Sequence, residues 1–109
     1  MKHATLILLA LILVLAAGCK ASKFVGTWTP EENQRNVVTK TLEIKKDGSW
    51  RIMTIYNERF TGTYKIVDGK LRMFDEKATS YTEEATLESG DRLKVNAAGK
   101  GFVYFKRNS

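Results

Sequence analysis

Glycine-containing turns at regular intervals constrain the fold of this 109-residue chain more than any other feature. They are Asp47-Gly48, Asp68-Gly69 and Ser89-Gly90-Asp91, and successive glycines lie 21 residues apart. Such residue pairs favour the positive φ angles of tight β-hairpin turns. Each turn is flanked by short segments in which apolar and polar residues alternate, which is typical of strands with one buried face. The pattern therefore predicts a series of antiparallel hairpins.

Eight such segments follow one another from residue 24 onward, and they are rich in Thr, Val, Ile, Tyr and Phe. We predict strands at Phe24–Thr29, Val37–Lys45, Trp50–Tyr56, Thr61–Val67, Lys70–Phe74, Tyr81–Glu88, Arg92–Asn96 and Phe102–Arg107. Trp50–Tyr56 carries apolar residues at both odd and even positions, so its buried face stays undecided. Pro30–Asn36 is the candidate for a short helix, because Pro and Glu suit a first helical turn.

Tight turns alternate along the chain with longer polar connections, which are Asn57–Phe60, Asp75–Ser80 and Ala97–Gly101. In an up-and-down meander, this alternation puts the tight turns at one end (the tight-turn end) and the longer connections at the other (the long-loop end). The first strand begins at the tight-turn end. We expect an all-β fold of eight short antiparallel strands closing into a small barrel, with a two-sheet sandwich as the alternative.

The N-terminus predicts export. Met1-Lys2-His3 precede the apolar run Leu6–Leu15, and Ala16-Ala17-Gly18 lead into Cys19, the only cysteine. This is the layout of a secretory signal with a small-residue cleavage site. A transmembrane helix needs about 20 apolar residues, whereas Ala4–Ala17 offers fourteen with Thr5 among them.

The junction at Cys19 resembles the lipobox of bacterial lipoproteins, although Ala16 departs from the usual Leu, Val or Ile at its position. The resemblance implies a signal peptide (1–18), an acylated Cys19 with a short tether (19–23) and a barrel domain (24–109). It also implies anchoring to a membrane of the bacterial cell envelope, at the outer membrane facing the periplasm in a Gram-negative cell. A plainly cleaved secreted protein is the alternative, and it would leave Cys19 as a free thiol.

Composition narrows the chemistry. Lys and Arg number 18 against 12 Asp and Glu, but the charges are scattered along alternating strands, which favours a solvated surface over nucleic-acid binding. After cleavage the chain loses His3, its only histidine, and Cys19 carries lipid. Cys-His and Ser-His nucleophiles and zinc sites of nitrogen and sulfur are thereby excluded. We expect no catalysis, no cofactor and no metal. A carboxylate enzyme would draw on Glu31, Glu32, Glu58, Asp75, Glu76, Glu83 and Glu84.

Four segments resemble a known family. They are Phe24–Trp28, Leu42–Trp50, Gly62–Ile66 and Asp91–Val95. The first is similar to the Gly-x-Trp opening of lipocalins, here Gly26 and Trp28, and the set is similar to small bacterial lipocalin-like lipoproteins. The resemblance implies that Trp28 packs under a basic residue of the last strand, for which Arg107 is the candidate. Strict antiparallel pairing of the first and last strands predicts instead that Arg107 lies nearer Phe24.

Eight-stranded barrels are filled by side chains or hold one small molecule. The inward candidates are Trp28, Leu42, Ile44, Ile52, Tyr64, Ile66, Leu71, Met73, Leu87, Leu93, Val95, Tyr104 and Phe102. Their bulk favours a packed interior. If a pocket exists inside the barrel, Tyr64, Ile66, Met73 and Tyr104 are the candidates to line it.

Candidate binding residues at the long-loop end are Arg35, Asn57, Glu58, Arg59, Phe60, Lys77 and Lys100. Phe60 either anchors a partner, since aromatic residues and Arg dominate binding hot spots, or folds back over the barrel mouth. We therefore predict a monomeric, membrane-anchored binding module for a small amphipathic ligand or an envelope partner. The alternative is an inhibitor or immunity-type lipoprotein that acts through its membrane-distal loops.

Overall fold

The computed structural model describes residues 21–76, 80–97 and 101–108. Within them it has eight strands: β1 (Gly26–Pro30), β2 (Thr39–Ile44), β3 (Ser49–Thr54), β4 (Arg59–Val67), β5 (Lys70–Asp75), β6 (Glu83–Ser89), β7 (Arg92–Ala97) and β8 (Gly101–Arg107). Consecutive strands pair antiparallel, and β1 also pairs with β8, so the meander closes into a barrel. The predicted all-β barrel is confirmed, and the sandwich is not formed. No helix of the described residues has the length and apolarity needed to cross a membrane.

The tight turns lie where the glycines predict them. Gly48 and Gly69 have φ angles of 91° and 77°, in the left-handed region that glycine adopts without a steric penalty. In the first turn the Asp47 carboxylate accepts hydrogen bonds from the hydroxyl and the amide of Ser49. These bonds lower the pKa of Asp47, because they stabilise its ionised form.

The strand register decides which residues face the interior. In β3 the even-numbered residues point inward, with Trp50 and Thr54 buried and Ile52 packed against the core. The apolar pattern of this strand left that choice undecided. The buried cluster consists of Phe24, Trp28, Leu42, Ile44, Trp50, Tyr64, Leu71, Met73, Ala85, Leu93, Val95 and Phe105. These side chains fill the barrel from its tight-turn end to its middle.

The prediction that Tyr104 and Phe102 face the interior is wrong. Strand β8 directs Phe105 and Val103 inward, where they pack in or against the core. Tyr104 lies on the outer wall, with the Arg92 guanidinium carbon 4.1 Å from its ring centroid. Phe102 is 55% exposed. The four residues form an unbroken apolar run, so alternation could not indicate the buried face.

The helix considered for Pro30–Asn36 does not form. Asn33 and Asn36 have φ angles of 67° and 59°, which a right-handed helix does not allow. The Gln34 side chain instead joins this segment to β8, because its Nε2 donates to the carbonyl of Tyr104 and its Oε1 accepts from the amide of Tyr104. The connection between β1 and β2 is thus a loop held along the β1–β8 seam.

The predicted signal segment and Cys19 lie outside the described residues, and so do Lys77 and Lys100. The description begins at Ala21, which is partly buried against the core. Its carbonyl accepts a 3.0 Å hydrogen bond from the amide of Phe24. Residues 21–24 are therefore folded onto the barrel, whereas the sequence suggested an extended tether up to residue 23.

Candidate functional site

The long-loop end of the barrel opens into a cavity of about 400 Å³, called the mouth cavity below. Its apolar lining residues include Trp50, Ile52 and Phe60. The remaining lining residues are Val38, Thr39, Thr54, Asp75, Thr82 and Glu83. A volume of this size falls within the range of small-molecule sites, which are mostly apolar with a few polar groups.

Trp50 separates the mouth cavity from the packed half of the barrel. Its Nε1 donates to two carbonyl oxygens on neighbouring strands, 2.9 Å to Thr63 and 3.1 Å to Phe74. The indole fits there because residue 62 is glycine: a Cβ at Gly62 would lie 2.6 Å from Cζ2 of Trp50 and would collide with the Phe74 carbonyl oxygen. One wall of the cavity is therefore a fixed aromatic plane.

Thr54 holds the loop that borders the cavity. Its side chain is buried, and its Oγ1 accepts hydrogen bonds from the amides of Tyr56 (3.3 Å) and Glu58 (3.1 Å). The loop turns at Asn57, which has a φ of 61°, a conformation that Asn tolerates better than most residues. Phe60 follows this loop as the second residue of β4, and it lies at the cavity edge with its side chain 49% exposed.

Two acidic side chains, Asp75 and Glu83, also line the cavity. Thr82 lies beside them, and its amide and hydroxyl both donate to the carbonyl of Met73. The cavity thus has apolar side chains on β3 and β4, and oxygen atoms on the segments around β5 and β6. Such a lining suits a molecule with an apolar part and a polar part.

The structure brings few of the predicted rim residues together at the cavity. Glu58, Arg59 and Phe60 are consecutive and exposed, but of these only Phe60 lines the cavity. Arg35 is exposed in the β1–β2 connection and does not line it. Lys77 lies outside the described residues.

The predicted interior candidates lie elsewhere. Met73 is fully buried in the core. Tyr64 is buried, and its hydroxyl donates to the carbonyl of Lys45 near the tight-turn end; burial raises the pKa of Tyr64. Ile66 borders a second cavity, of about 310 Å³, at the tight-turn end. Tyr104 points outward, as described above. None of the four predicted interior candidates therefore lines the mouth cavity.

The long-loop end also exposes a set of large apolar side chains, called the apolar rim below. Its members, with their exposed fractions, are Val38 47%, Ile55 55%, Tyr56 68%, Phe60 49%, Tyr81 42% and Phe102 55%. Of these six residues, the sequence analysis placed only Phe60 among the binding candidates at the long-loop end. It assigned the other five to strands, where large apolar residues are common. Most of them lie at or near the end of a predicted strand, next to a long connection, and this position could have indicated exposure at the long-loop end.

Arg107 lies at the opposite end of the barrel. Its guanidinium carbon lies 4.3 Å from the ring centroid of Trp28, and the two residues are directly paired across β1 and β8. The contact implied by the lipocalin resemblance is therefore present. The alternative expectation, that strand pairing puts Arg107 nearer Phe24, is wrong. Trp28 is fully buried, and its Nε1 donates to the carbonyl of Phe24 at 2.9 Å.

The same guanidinium joins three parts of the backbone. It donates to the carbonyls of Lys23 (2.8 Å), Val25 (2.8 Å) and Gly90 (3.1 Å). Gly26 leaves room for it, since a Cβ there would lie 2.8 Å from a guanidinium nitrogen. Arg107 thus ties β1, β8 and the third turn together at the tight-turn end, beside the second cavity, while the other end holds the mouth cavity.

Comparisons with protein-family models, with curated proteins and with solved structures find no match for this chain. The lipocalin resemblance therefore rests on the sequence motifs and on the geometry described above. Across the described part of the chain, no three or more His, Cys, Asp and Glu side chains are grouped so as to hold a metal ion.

Proposed function

We propose that this chain is a lipocalin-like, membrane-anchored binding module that takes a small amphipathic ligand into the mouth cavity and performs no catalysis. The observation that carries the proposal is a cavity of about 400 Å³ at the long-loop end of the barrel, lined by Trp50, Ile52 and Phe60 together with polar side chains. Such concave, largely apolar sites are where small molecules bind.

The lining suggests how the ligand lies. Its apolar part packs against Trp50, Ile52 and Phe60, while its polar part lies toward Asp75 and Thr82. Trp50 is already fixed by two hydrogen bonds, so little side-chain entropy is lost when a ligand packs on it. The carboxylate-enzyme alternative keeps Asp75 and Glu83 as its candidates, since both line the cavity.

The anchor of the proposed module is Cys19. Two or more acyl chains hold a protein stably on a membrane, whereas one holds it only marginally. We propose that the acylated chain resides in the bacterial cell envelope as a monomer, at the outer membrane facing the periplasm in a Gram-negative cell, without a nucleic-acid partner.

Binding of the neutral apolar dye N-phenyl-1-naphthylamine tests the ligand site. The dye should bind the non-acylated barrel with one saturable site and increased fluorescence. Phe60→Ala removes an aromatic ring from the cavity edge and should weaken binding roughly fivefold to twentyfold, the equivalent of about 1–2 kcal/mol.

Tyr56→Ala is the matched control, because Tyr56 is an exposed aromatic residue of the adjoining β3–β4 loop that does not line the cavity. It should leave the dye affinity unchanged. The ligand proposal fails if the dye shows no saturable binding, or if the two variants weaken it equally.

A second function, inhibition of another envelope protein through the loops, is favoured by the apolar rim. Exposed apolar residues grouped at one surface are typical of protein-binding sites. Tyr56, the most exposed member at 68%, would then carry partner binding while leaving dye binding intact. The same pair of variants therefore separates the two functions.

A further inference from the structure

Three exposed lysines at the tight-turn end have no acidic partner among the described residues, as is also true of Lys40 in β2 and Lys65 in β4. Lys23, Lys46 and Lys106 are exposed, and among the described residues no carboxylate lies within ion-pair distance of any of them. Lys45 and Arg107, at the same end, have ion pairs with Glu43 (3.9 Å) and Asp91 (3.8 Å). The three unpaired lysines are called the lysine arc below.

The three lysines lie on or beside the neighbouring strands β8, β1 and β2. Lys106 pairs with Thr29 of β1 and with Arg92 of β7, which directly follows the third tight turn. Lys23 lies beside the end of β8, because its carbonyl accepts a 2.8 Å hydrogen bond from Arg107. Lys46 follows Ile44 by two residues, and Ile44 pairs with Gly26 at the start of β1. All three lysines are therefore at the end where the chain enters the barrel.

The proposed anchor lies at this same end. Ala21 is packed against the core, and only Lys20 separates it from Cys19. Two peptide units span at most about 7.6 Å, so acyl chains on Cys19 would be tethered close to Ala21. A bilayer holding acyl chains on Cys19 would therefore lie against the lysine arc. This step rests on the proposed acylation.

We propose that the lysine arc docks the tight-turn end of the barrel onto an anionic phospholipid surface. Anionic lipids attract Lys and Arg that lie close to the membrane, and the attraction falls off within a Debye length. Asp47, Asp68, Glu88 and Asp91 oppose it at this end. Asp91 is paired with Arg107 and Glu88 with Lys94, and Asp47 is bonded within its own turn. Asp68 lies in the β4–β5 turn, across the barrel from β8, β1 and β2. Docking directs the mouth cavity away from the anchoring membrane.

Vesicle flotation of the non-acylated chain from Lys20 onward tests this proposal, because that chain contains every described strand and core residue. It should bind vesicles of equimolar phosphatidylcholine and phosphatidylglycerol, should ignore pure phosphatidylcholine, and should dissociate as salt is added. The double variant Lys46→Glu/Lys106→Glu should weaken binding at least about tenfold.

The matched control is Arg35→Glu/Arg59→Glu. It makes the same change in net charge at two exposed residues of the long-loop end, one in the β1–β2 connection and one at the start of β4, and should retain binding. Failure of the unmodified chain to bind anionic vesicles overturns the proposal. Equal weakening of vesicle binding by both double variants also overturns it, because net charge alone would then determine binding. Loss of vesicle binding in the control variant alone overturns it as well.

Circular dichroism and thermal unfolding establish that each variant is folded, and Lys46→Gln/Lys106→Gln replaces the reversed pair if that variant is not. The vesicle assay needs neither acyl chains nor a ligand. A negative result would therefore not affect the proposed ligand site, which dye binding tests separately. Palmitate labelling of the full chain, with Cys19→Ser as the control, judges the anchor separately.

Discussion

Gly62 is where a single residue matters most for the candidate site. The indole of Trp50 and the Phe74 carbonyl occupy the space that a side chain would need. In the sequence this glycine is part of a strand pattern, and nothing in the pattern indicates that an aromatic ring lies on it. Contacts of this kind depend on which strands become neighbours, and for that reason they are not read from local alternation.

Gly62→Ala should lower the free energy of unfolding by about 1–3 kcal/mol, the usual cost of overpacking a filled interior, because either Trp50 or the β5 backbone must move. Urea unfolding followed by circular dichroism measures the change. Gly90→Ala is the control, since a Cβ at Gly90 meets no atom within 4 Å and its φ is not in the left-handed region. A fully stable Gly62→Ala protein would contradict the packing described.

At the scale of elements, all eight strands form where alternation and turn residues predict them, with ends that differ by one or two residues. The tight turns could be predicted because their residues determine their own backbone angles. The mouth cavity could not, because its lining comes from β3, β4 and the segments around β5 and β6, which meet only after closure. The apolar rim was missed for a local reason: Val38, Ile55 and Tyr81 have high strand propensity.

The first tight turn should make stability depend on pH in acid. The folded-state pKa of Asp47 is below its ordinary value of 3.8, so the unfolded chain binds protons more readily. The stabilisation from the ionised carboxylate is therefore complete above about pH 4 and is lost as the pH falls below 3.8 toward the folded-state pKa.

Asp47→Asn should be less stable than the unmodified chain at neutral pH, and the difference should shrink as the pH falls through that window. Unfolding midpoints recorded over the acid range measure the dependence. Asp68→Asn, at the equivalent position of the second tight turn, is the comparison. A difference between the Asp47 variant and the unmodified chain that stays constant with pH would contradict the assignment.

At the scale of the molecule, the barrel has two unlike ends. The seam between β1 and β8 joins the first and last strands, and Arg107 reinforces it at the tight-turn end by contacting Trp28 and three backbone carbonyls. The resemblance to lipocalins implied the contact with Trp28, whereas strict pairing of the first and last strands predicted that Arg107 lies nearer Phe24 than Trp28. The register between β1 and β8 is set by closure of the barrel, and the sequence positions of the two strands do not reveal it.

Arg107→Ala should lower the free energy of unfolding by about 2–4 kcal/mol, because it removes a cation–π contact and hydrogen bonds from a charged donor. Arg107→Lys should restore only a small part, since an ammonium group cannot reproduce the planar fork. Lys106→Ala, at the neighbouring exposed position, is the control and should be nearly neutral. Chemical unfolding measures all three, and equal stability of Arg107→Ala and Lys106→Ala would refute the role given to the seam.

The placement of the two tryptophans provides an intrinsic optical readout of this asymmetry. Trp50 borders the mouth cavity, whereas Trp28 is sealed beneath Arg107 at the far end. Fluorescence emission from Trp50 should therefore respond to binding in the mouth cavity. Emission from Trp28 should respond to opening of the pairing between β1 and β8. Occupancy and integrity of the same molecule can thus be followed without any added label.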